Sequence, residues 1–316
     1  MRRRSNLLLG IVAVGIAVLL LLRALGLIPD GLFDLIVRGW PGLLVLAGLA
    51  LLLGRRLPLG SLMALIISGG LVIGLAATAF TQRAAEQRTD YQQRIEQPLA
   101  DDLTLLRVQV ATLATDVEFL RTLNPAAGVT GEFIGSLENS ITVDYTVAAA
   151  DNSATLTLRE TQTGGFPMLE TVGRGTLRVE LPAQIPLDVA FSGADGAVIL
   201  NMSGLPLERL NVEMANGAVI VTLPDYDPAF SQPTETLGEL TTRNGDLTLF
   251  VPASVSARLE LERGGSGIDP LYDAGIYNYL VGDILEARDI TVAETVVRYR
   301  LVVPRGRIRV EVPGSS

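Results

Sequence analysis

The chain has 316 residues, carries a net charge of −9, and contains no Cys and no His. All 25 of its basic residues are Arg, so Lys is absent as well. These absences exclude disulfide bonds, thiolate or imidazole chemistry and lysine Schiff bases, and they remove the commonest metal ligand.

The charge is divided unevenly between two regions. Residues 1–80 contain seven Arg and two Asp, whereas the rest of the chain contains 18 Arg and 32 acidic residues. An acidic region of this size disfavours contact with phosphate backbones, which basic surfaces bind. We therefore expect no nucleic-acid partner.

Three apolar runs fill the N-terminal region, at residues 7–27, 32–53 and 57–80. About 20 helical residues span the roughly 30 Å hydrocarbon core of a bilayer, so each run is long enough to cross a membrane. A signal peptide has a shorter apolar region followed by soluble sequence, which is not the pattern here. We predict a three-helix transmembrane region at residues 1–81, in contact with membrane lipid.

The placement of arginines predicts the orientation of these helices. Arg2, Arg3 and Arg4 precede the first apolar run, and Arg55 and Arg56 separate the second run from the third. Short cytoplasmic loops carry the excess of basic residues in membrane proteins. We therefore expect a multi-pass protein of the cell membrane with a cytoplasmic N-terminus and an extracytoplasmic C-terminal region.

The composition changes abruptly after the third apolar run. Residues 82–103 are rich in Gln, Arg, Glu and Asp, and we interpret them as a polar helical stalk that ends near Pro98. From Leu103 onward, apolar and polar residues alternate with the period of two that is typical of strands. We predict an all-β domain at residues 104–316, within which only residues 271–285 also fit a helix.

Five glycine-led units recur in this all-β region. Their glycines are 21, 21, 28 and 61 residues apart, at Gly175, Gly196, Gly217, Gly245 and Gly306. Asp-Gly or Asn-Gly dipeptides open three of the units and favour tight chain reversals. Recurrence at this spacing predicts a stacked β-repeat, such as a single-stranded β-helix or a toast-rack-like solenoid.

The second, fourth and sixth residues after each glycine are aliphatic or Met, and we expect them to face the core because side chains alternate along a strand. These positions are Leu177, Val179, Leu181, Val198, Leu200, Met202, Val219, Val221, Leu223, Leu247, Leu249, Val251, Ile308, Val310 and Val312.

Three residues on the opposite face of the repeat are also apolar, namely Ile199, Ile220 and Phe250. Polar residues are expected on a face that contacts solvent. The three residues therefore predict one of two arrangements. Either another layer covers them, for which residues 268–290 are the candidate, or they form an exposed strip that contacts a partner.

One basic cluster lies near the C-terminus. Its members are Arg298, Arg300, Arg305, Arg307 and Arg309. Such a cluster can contact an anionic polymer or lipid headgroups. Alternating charges on a last strand can instead prevent edge-to-edge pairing between sheets, and the sequence alone leaves both interpretations open.

Two parts of the chain resemble a known bacterial family. The N-terminal region, with Trp40-Pro-Gly-Leu-Leu-Val and Arg55-Arg56, is similar to the membrane hairpin module of LiaF-like envelope-stress proteins. The toast-rack domain of that family is similar to the stretch that runs from Pro186-Leu-Asp-Val through Gly204-Leu-Pro-Leu to Asn216-Gly217 and Leu223-Pro224. The resemblance implies a membrane-anchored, non-enzymatic protein. Relatives often have an even number of membrane helices, so three spans depart from that pattern.

We therefore expect a protein that senses or modulates cell-envelope stress, such as exposure to cell-wall-active antibiotics, through protein–protein contacts. A histidine kinase or a transporter in the membrane is the expected partner. A surface scaffold or adhesin built on the β-repeats is the alternative, and a homo-oligomer is compatible with both. We predict neither catalytic residues nor a cofactor or metal site.

Overall fold

The fold is that of a computed structural model, which describes residues 83, 86–100, 102–124, 128–148, 150–163, 173–230, 235–264 and 268–313. The chain forms two compact units, residues 1–86 with 164–172 and residues 87–163 with 173–316. The three predicted membrane spans lie outside the described residues. Within the described part of the chain, no helix has the length and hydropathy needed to cross a bilayer.

The described elements are 18 β-strands, so the prediction of an all-β region is confirmed. The first nine are β1 (Tyr91–Gln97), β2 (Leu105–Arg121), β3 (Val129–Gly135), β4 (Asn139–Ala148), β5 (Ser153–Gln162), β6 (Gly175–Leu181), β7 (Leu187–Asp195), β8 (Val198–Asn201) and β9 (Leu207–Asn216). The others are β10 (Val219–Thr222), β11 (Gly238–Asn244), β12 (Leu247–Phe250), β13 (Val255–Arg263), β14 (Leu271–Tyr272), β15 (Tyr277–Leu280), β16 (Ile284–Ala287), β17 (Thr295–Val303) and β18 (Ile308–Glu311).

The strands form two sheets that share the long strand β2. Sheet I has the order β4, β5, β2, β7, β9, β11, β17, β13, β16, β15. Sheet II has the order β1, β3, β6, β2, β8, β10, β12, β18, β14. The inward residues of both sheets belong to one apolar core.

Consecutive strands along the chain form rungs of a stack. Each rung places one strand in sheet I and the next in sheet II, and neighbouring rungs pair in parallel. The rungs stack in the order β5/β6, β2, β7/β8, β9/β10, β11/β12, β17/β18, β13/β14. Parallel rungs of this kind are the stacked β-repeat that the glycine-led units predict.

The order of the rungs departs from the order of the chain at two places. Strand β2 precedes β5 and β6 in the sequence but lies between them and β7/β8. The last rung, β17/β18, lies between β11/β12 and β13/β14. The early strand β2 and the last rung of the chain are therefore inserted inside the stack rather than added to its edges.

The core forms as the alternation predicts. Fourteen of the fifteen predicted inward positions are at most 2% exposed, and only Val312, which follows the last strand, is half-buried. Burying one such aliphatic side chain contributes on the order of 1.5–3 kcal/mol before conformational entropy is subtracted. The ladder of stacked aliphatic residues is thus the main source of stability in this part of the chain.

The corners between the two sheets depend on glycine. Gly196, Gly217, Gly245 and Gly306 have positive φ angles between 134° and 158°, a region that other residues rarely adopt. Their turns stack directly, since the N–H of Gly217 donates to the carbonyl oxygen of Asn244 at 2.8 Å. The prediction that the Asn-Gly dipeptides reverse the chain is wrong, because β9 and β10, for example, lie in different sheets and do not pair.

Strand β2 turns the same corner without a glycine, and the side chain of Glu160 replaces it. The Glu160 carboxylate accepts hydrogen bonds from the N–H of Leu113 at 2.6 Å, from Oγ1 of Thr115 at 2.9 Å and from Nδ2 of Asn139 at 2.8 Å. Glu160 is only 4% exposed. A buried carboxylate needs such donors, so it fixes the backbone where β2 passes from sheet I to sheet II.

Antiparallel strands close both ends of the stack. Strands β4, β3 and β1 lie at one end, and β16 and β15 lie at the other. The prediction of a helical stalk is therefore wrong for residues 91–97, and the stretch 271–285, which also fits a helix in sequence, follows the all-β prediction. Residues 91–97 of the predicted stalk form β1, in which Ile95 is buried, and residues 271–285 form short strands and turns. In both stretches, pairing at a sheet end satisfies the backbone better than an isolated polar helix would.

Candidate interaction surfaces

The predicted apolar strip lies on the outer face of sheet II. Ile199 is directly opposite Ile220 on the neighbouring strand, and Phe250 lies one row further along, opposite Thr222. Ile199 is 42% exposed, while Ile220 and Phe250 are half-buried beside their in-sheet neighbours. The structure thus brings the three predicted residues together on one face.

The prediction that residues 268–290 cover this strip is wrong. Strand β14 pairs with β18 at the edge of sheet II, and β15 and β16 extend sheet I. The segment instead closes the end of the core, where Tyr277, Leu285 and Ala287 are buried. Backbone groups at the end of a stack need partners, and this segment supplies them. A role for the strip in partner contact stays a prediction.

Charged residues flank the strip at both ends of the stack. Arg178 and Glu180 of β6 form an ion pair of 3.7 Å, and Arg309 and Glu311 of β18 form one of 3.5 Å. All four side chains are on the outer face of sheet II, because they alternate with buried residues. An uncharged centre with a charged border is therefore present on this face.

The five arginines of the predicted basic cluster do not form one patch. Arg298 and Arg300 belong to β17 in sheet I, whereas Arg309 belongs to β18 in sheet II. Arg305 and Arg307 lie in the corner between them, where Arg305 donates to Oδ1 of Asn244 at 3.1 Å. Arg300 is paired with Glu262 and Glu239. Contact of these residues with an anionic polymer stays an untested prediction.

The alternative explanation for the cluster, protection of an edge strand, is wrong. Strand β17 has β11 and β13 on its two sides, and β18 has β12 and β14. Both strands are therefore interior. Their charges offset neighbouring acidic residues across the strands, as the ion pairs of Arg300 illustrate.

A polar trough crosses the outer face of sheet I, with a volume of about 730 Å³. Its floor consists of small residues of β2 and β7, Ala111, Ala190 and Ser192. The rest of its lining consists of Val110, Phe191 and Val212 and of the polar side chains Gln109, Thr157, Arg159, Asn211, Glu213, Glu239, Thr241 and Arg243. Small side chains lie between longer ones on a flat sheet, and this difference in length produces the depression.

Arg159 is the charged side chain of the trough that is available for a ligand. It is exposed, and it makes no ion pair or hydrogen bond with another residue in the part of the chain that the structure describes. Arg243 on the opposite side is already paired with Glu213 at 2.6 Å. Beside the trough, the pKa of the Asp188 carboxyl is raised, because the effect of its burial exceeds the lowering effect of the nearby Arg209 and Arg107. This surface has no local signal in the sequence, because its residues come from strands that are distant in the chain.

The loop after β10 is a second feature that was not predicted from the sequence. Glu208 is 2% exposed and accepts hydrogen bonds from Tyr226 Oη at 2.7 Å and from the N–H groups of Ala229 and Phe230 at 3.1 and 2.9 Å. The loop therefore has a fixed shape up to Phe230, which is 63% exposed. Burial and the hydrogen bond to Glu208 raise the pKa of Tyr226 to about 12.

The burial of Glu208 follows from a β-bulge. Leu187 is opposite Leu207, but the next residue, Asp188, is opposite Arg209, so Glu208 is the extra residue of β9. A bulge changes the direction in which a side chain points. The sequence carries a weak signal of it, since Leu207 and Leu210 are both buried although they are three residues apart.

No metal-binding group is found among the described residues, taken as three or more His, Cys, Asp or Glu side chains placed around one point. The two most defined surfaces of the described residues are the apolar strip of sheet II and the polar trough of sheet I.

The fold is similar to that of a solved protein. The crystal structure of a putative cell adhesion protein from Clostridium sporogenes superposes with a TM-score of 0.55 at 15% identity, covering 70% of this chain and 98% of that chain. A putative adhesin from Bacteroides fragilis gives a TM-score of only 0.23 at 11% identity, covering 71% of this chain and 99% of that chain. No protein-family model and no curated protein matches the sequence. The first of these structures thus supports an adhesin-like β fold.

Proposed function

We propose that this protein is a membrane-anchored, non-enzymatic surface scaffold whose stacked β region acts as an adhesin-like module outside the membrane. The observation that carries the proposal is the parallel stack of seven rungs, closed at both ends by antiparallel strands. Such a stack repeats its outer side chains about every 4.8 Å, which suits an extended partner with a repeating structure. The similar fold of the putative cell adhesion protein supports this proposal.

Membrane anchoring in this proposal rests on the sequence. The apolar runs at residues 7–27, 32–53 and 57–80 are each long enough to cross a bilayer. The arginines that flank them favour an outside location for the β region. An anchored scaffold needs no catalytic group, in keeping with a chain that contains neither His nor Cys.

The trough of sheet I is the surface that we assign to a ligand. Arg159, Gln109 and Asn211 offer guanidinium and amide groups that donate hydrogen bonds. The floor of Ala111 and Ala190 leaves room for a chain to lie along the strands. An extended polar polymer such as a polysaccharide fits these groups, since its hydroxyls accept and donate hydrogen bonds along its length.

Binding of the purified full chain to cell-wall polysaccharide tests the proposal. We expect Arg159→Ala to weaken binding by about tenfold, the effect of losing one charge-assisted hydrogen bond of roughly 1.5 kcal/mol. Arg288→Ala is the matched control, because Arg288 is an exposed arginine at the far end of the stack. Absence of binding, or an equal loss in both variants, would contradict the assignment of the trough.

The envelope-stress role implied by the resemblance to LiaF-like proteins is ranked second. The structural neighbour is named for adhesion, so it lends that role no support. The exposed strip around Ile199 fits a protein partner, and it is the one observation that favours the role. Deleting the gene and measuring survival in wall-active antibiotics separates the two functions. Altered survival with unchanged surface attachment would favour signalling.

A further inference from the structure

Six adjacent strands of sheet II, β6, β2, β8, β10, β12 and β18, carry two rows of side chains on the outer face. The first row is Arg178, Glu118, Ile199, Ile220, Thr248 and Arg309. The second row, two residues further along each strand, is Glu180, Leu120, Asn201, Thr222, Phe250 and Glu311. The three strands β8, β10 and β12 contribute no charge to either row.

The charges at the two ends of these rows have the same order. Arg178 precedes Glu180 on β6, and Arg309 precedes Glu311 on β18. Each arginine is thus in the first row and each glutamate is in the second. If a second copy of the face is laid on the first with its strands reversed, each arginine lies opposite a glutamate at both ends.

We propose that this protein self-associates through the outer face of sheet II, with the two-fold axis running along the stack of rungs. This axis reverses the strand direction and keeps the order of the rungs, so Arg178 meets Glu180 of the partner copy and Arg309 meets its Glu311. The other two-fold axis in the plane of the face, along the strands, would place Arg178 opposite Arg309. Arginines that face each other across an interface repel.

In this arrangement the apolar centre lies over polar side chains of the partner copy, so the terminal charges and not the apolar residues select the axis. Ile199 and Ile220 of the first row would pack on Asn201 and Thr222 of the partner copy, and Phe250 would pack on Thr248. Ile199 is 42% exposed in the single chain. Isologous interfaces combine an apolar centre with a polar border, and this face has both.

The size of the face predicts that association is weak in dilute solution. Six strands about 4.8 Å apart span roughly 29 Å, and two rows of side chains occupy roughly 13 Å along the strands, or about 380 Å² for each copy. A stable interface buries about 800 Å² per partner. Confinement to a bilayer raises the effective concentration and makes such weak contacts effective. The inference rests on the membrane anchoring of the proposed function, and it is independent of the ligand-binding role proposed for sheet I.

Energy transfer between labelled full chains in proteoliposomes tests the proposal. The chain has no native Cys, so Val281→Cys, at a fully exposed position, provides one labelling site. Because the proposed axis keeps the order of the rungs, the labels of two copies lie at the same end of the stack and transfer energy efficiently. The axis along the strands would separate them by most of the stack length.

Charge exchange identifies the face. One variant carries Arg178→Glu and Arg309→Glu, and the other carries Glu180→Arg and Glu311→Arg. Each alone should associate at least about tenfold more weakly than the native chain, because its end residues repel. Mixing the two variants should restore association, since glutamates then face arginines. Energy transfer that neither variant changes, or that mixing fails to restore, would overturn the proposal.

Two further variants test whether the effect is specific to this face. Arg243→Glu with Arg300→Glu makes the same charge change on sheet I, and it should leave energy transfer unaltered. Ile199→Ser removes apolar area at an exposed position without altering charge, and it should lower energy transfer even if a charge variant folds poorly. Unchanged transfer in Ile199→Ser would overturn the assignment of the apolar centre.

Discussion

A Cβ atom on Gly217 would lie 1.7 Å from the carbonyl oxygen of Gly196, the corresponding residue of the neighbouring rung. Gly245 and Gly306 stand in the same relation to the rung before them, with the added atom 1.9 Å from the oxygen of Gly217 and of Gly245 respectively. Each corner is therefore in contact with the next. Backbone packing between these stacked glycines sets the spacing of the rungs.

Gly217→Ala is expected to lower the free energy of unfolding by about 3 kcal/mol or more, because it combines backbone strain with a clash that only movement of a rung can relieve. Gly282→Ala is the matched control. Gly282 also has positive φ, at 91°, but no atom lies within 4 Å of an added Cβ. Its substitution should cost about 1 kcal/mol. Denaturant titration measures both, and equal losses would contradict the stacking of the corners.

Glu160→Ala should destabilise the fold by about 3–5 kcal/mol, since it leaves the N–H of Leu113 and the amide of Asn139 buried without their acceptor. Glu213→Ala, which removes an exposed carboxylate from an ion pair, should cost less than about 1 kcal/mol. A comparison of melting temperatures is sufficient. If the two variants have the same melting temperature, Glu160 does not stabilise the corner of β2.

Stability should fall at alkaline pH. Burial raises the pKa of Tyr277 to about 12, and burial together with Glu208 does the same for Tyr226. Tyrosines of the unfolded chain lose their protons near pH 10, so the folded state holds more protons between about pH 10 and about 12. The stabilisation is complete below that window and is lost as pH rises through it.

Tyr226→Phe isolates one of these tyrosines. The free energy of unfolding should decline less steeply in the alkaline window than it does for the native chain. At neutral pH the variant should be about 1–3 kcal/mol less stable, because Glu208 loses a donor. Urea unfolding at a series of pH values gives both quantities. A native chain whose stability stays constant across the window would contradict the raised pKa values of these tyrosines.

The interleaved order of the rungs can be checked with disulfides, because the chain has no native Cys. Arg300 lies opposite Glu239 of β11 on one side and opposite Glu260 of β13 on the other. Cysteines at 300 and 239, or at 300 and 260, should therefore form a bond on oxidation. Cysteines at 239 and 260 are two strands apart, about 9.6 Å, and should not. A bond between cysteines at 239 and 260, with none between cysteines at 239 and 300, would mean that the rungs follow chain order.

The inward residues were predictable because strand alternation is a local property. Val198, Leu200 and Met202 show it within five residues of each other, and the glycine that precedes them marks the corner. The identity of the strip was predictable for the same reason. Ile199 and Ile220 interrupt a pattern in which outward positions are otherwise polar, and the break is visible in each unit by itself.

The order of the rungs and the roles of buried carboxylates were not predictable in this way. Glu160 accepts from Leu113, which is 47 residues away, and no local pattern connects them. The neighbours of β17 are likewise chosen by long-range pairing. The trough of sheet I combines residues of β5, β2, β7, β9 and β11. The trough depends on the order of the strands in the sheet, and that order cannot be read from the alternation of apolar and polar residues.

The claim that the β region lies on the outer surface of an anchored chain is tested most directly by labelling intact cells. A chain carrying Val281→Cys has one fully exposed thiol in an otherwise Cys-free protein. Leu249→Cys, at a position that is 0% exposed, is the control and should react only after unfolding. A membrane-impermeant maleimide should label Val281→Cys without lysis. Labelling that requires lysis would place the β region inside the cell and contradict the proposed scaffold function.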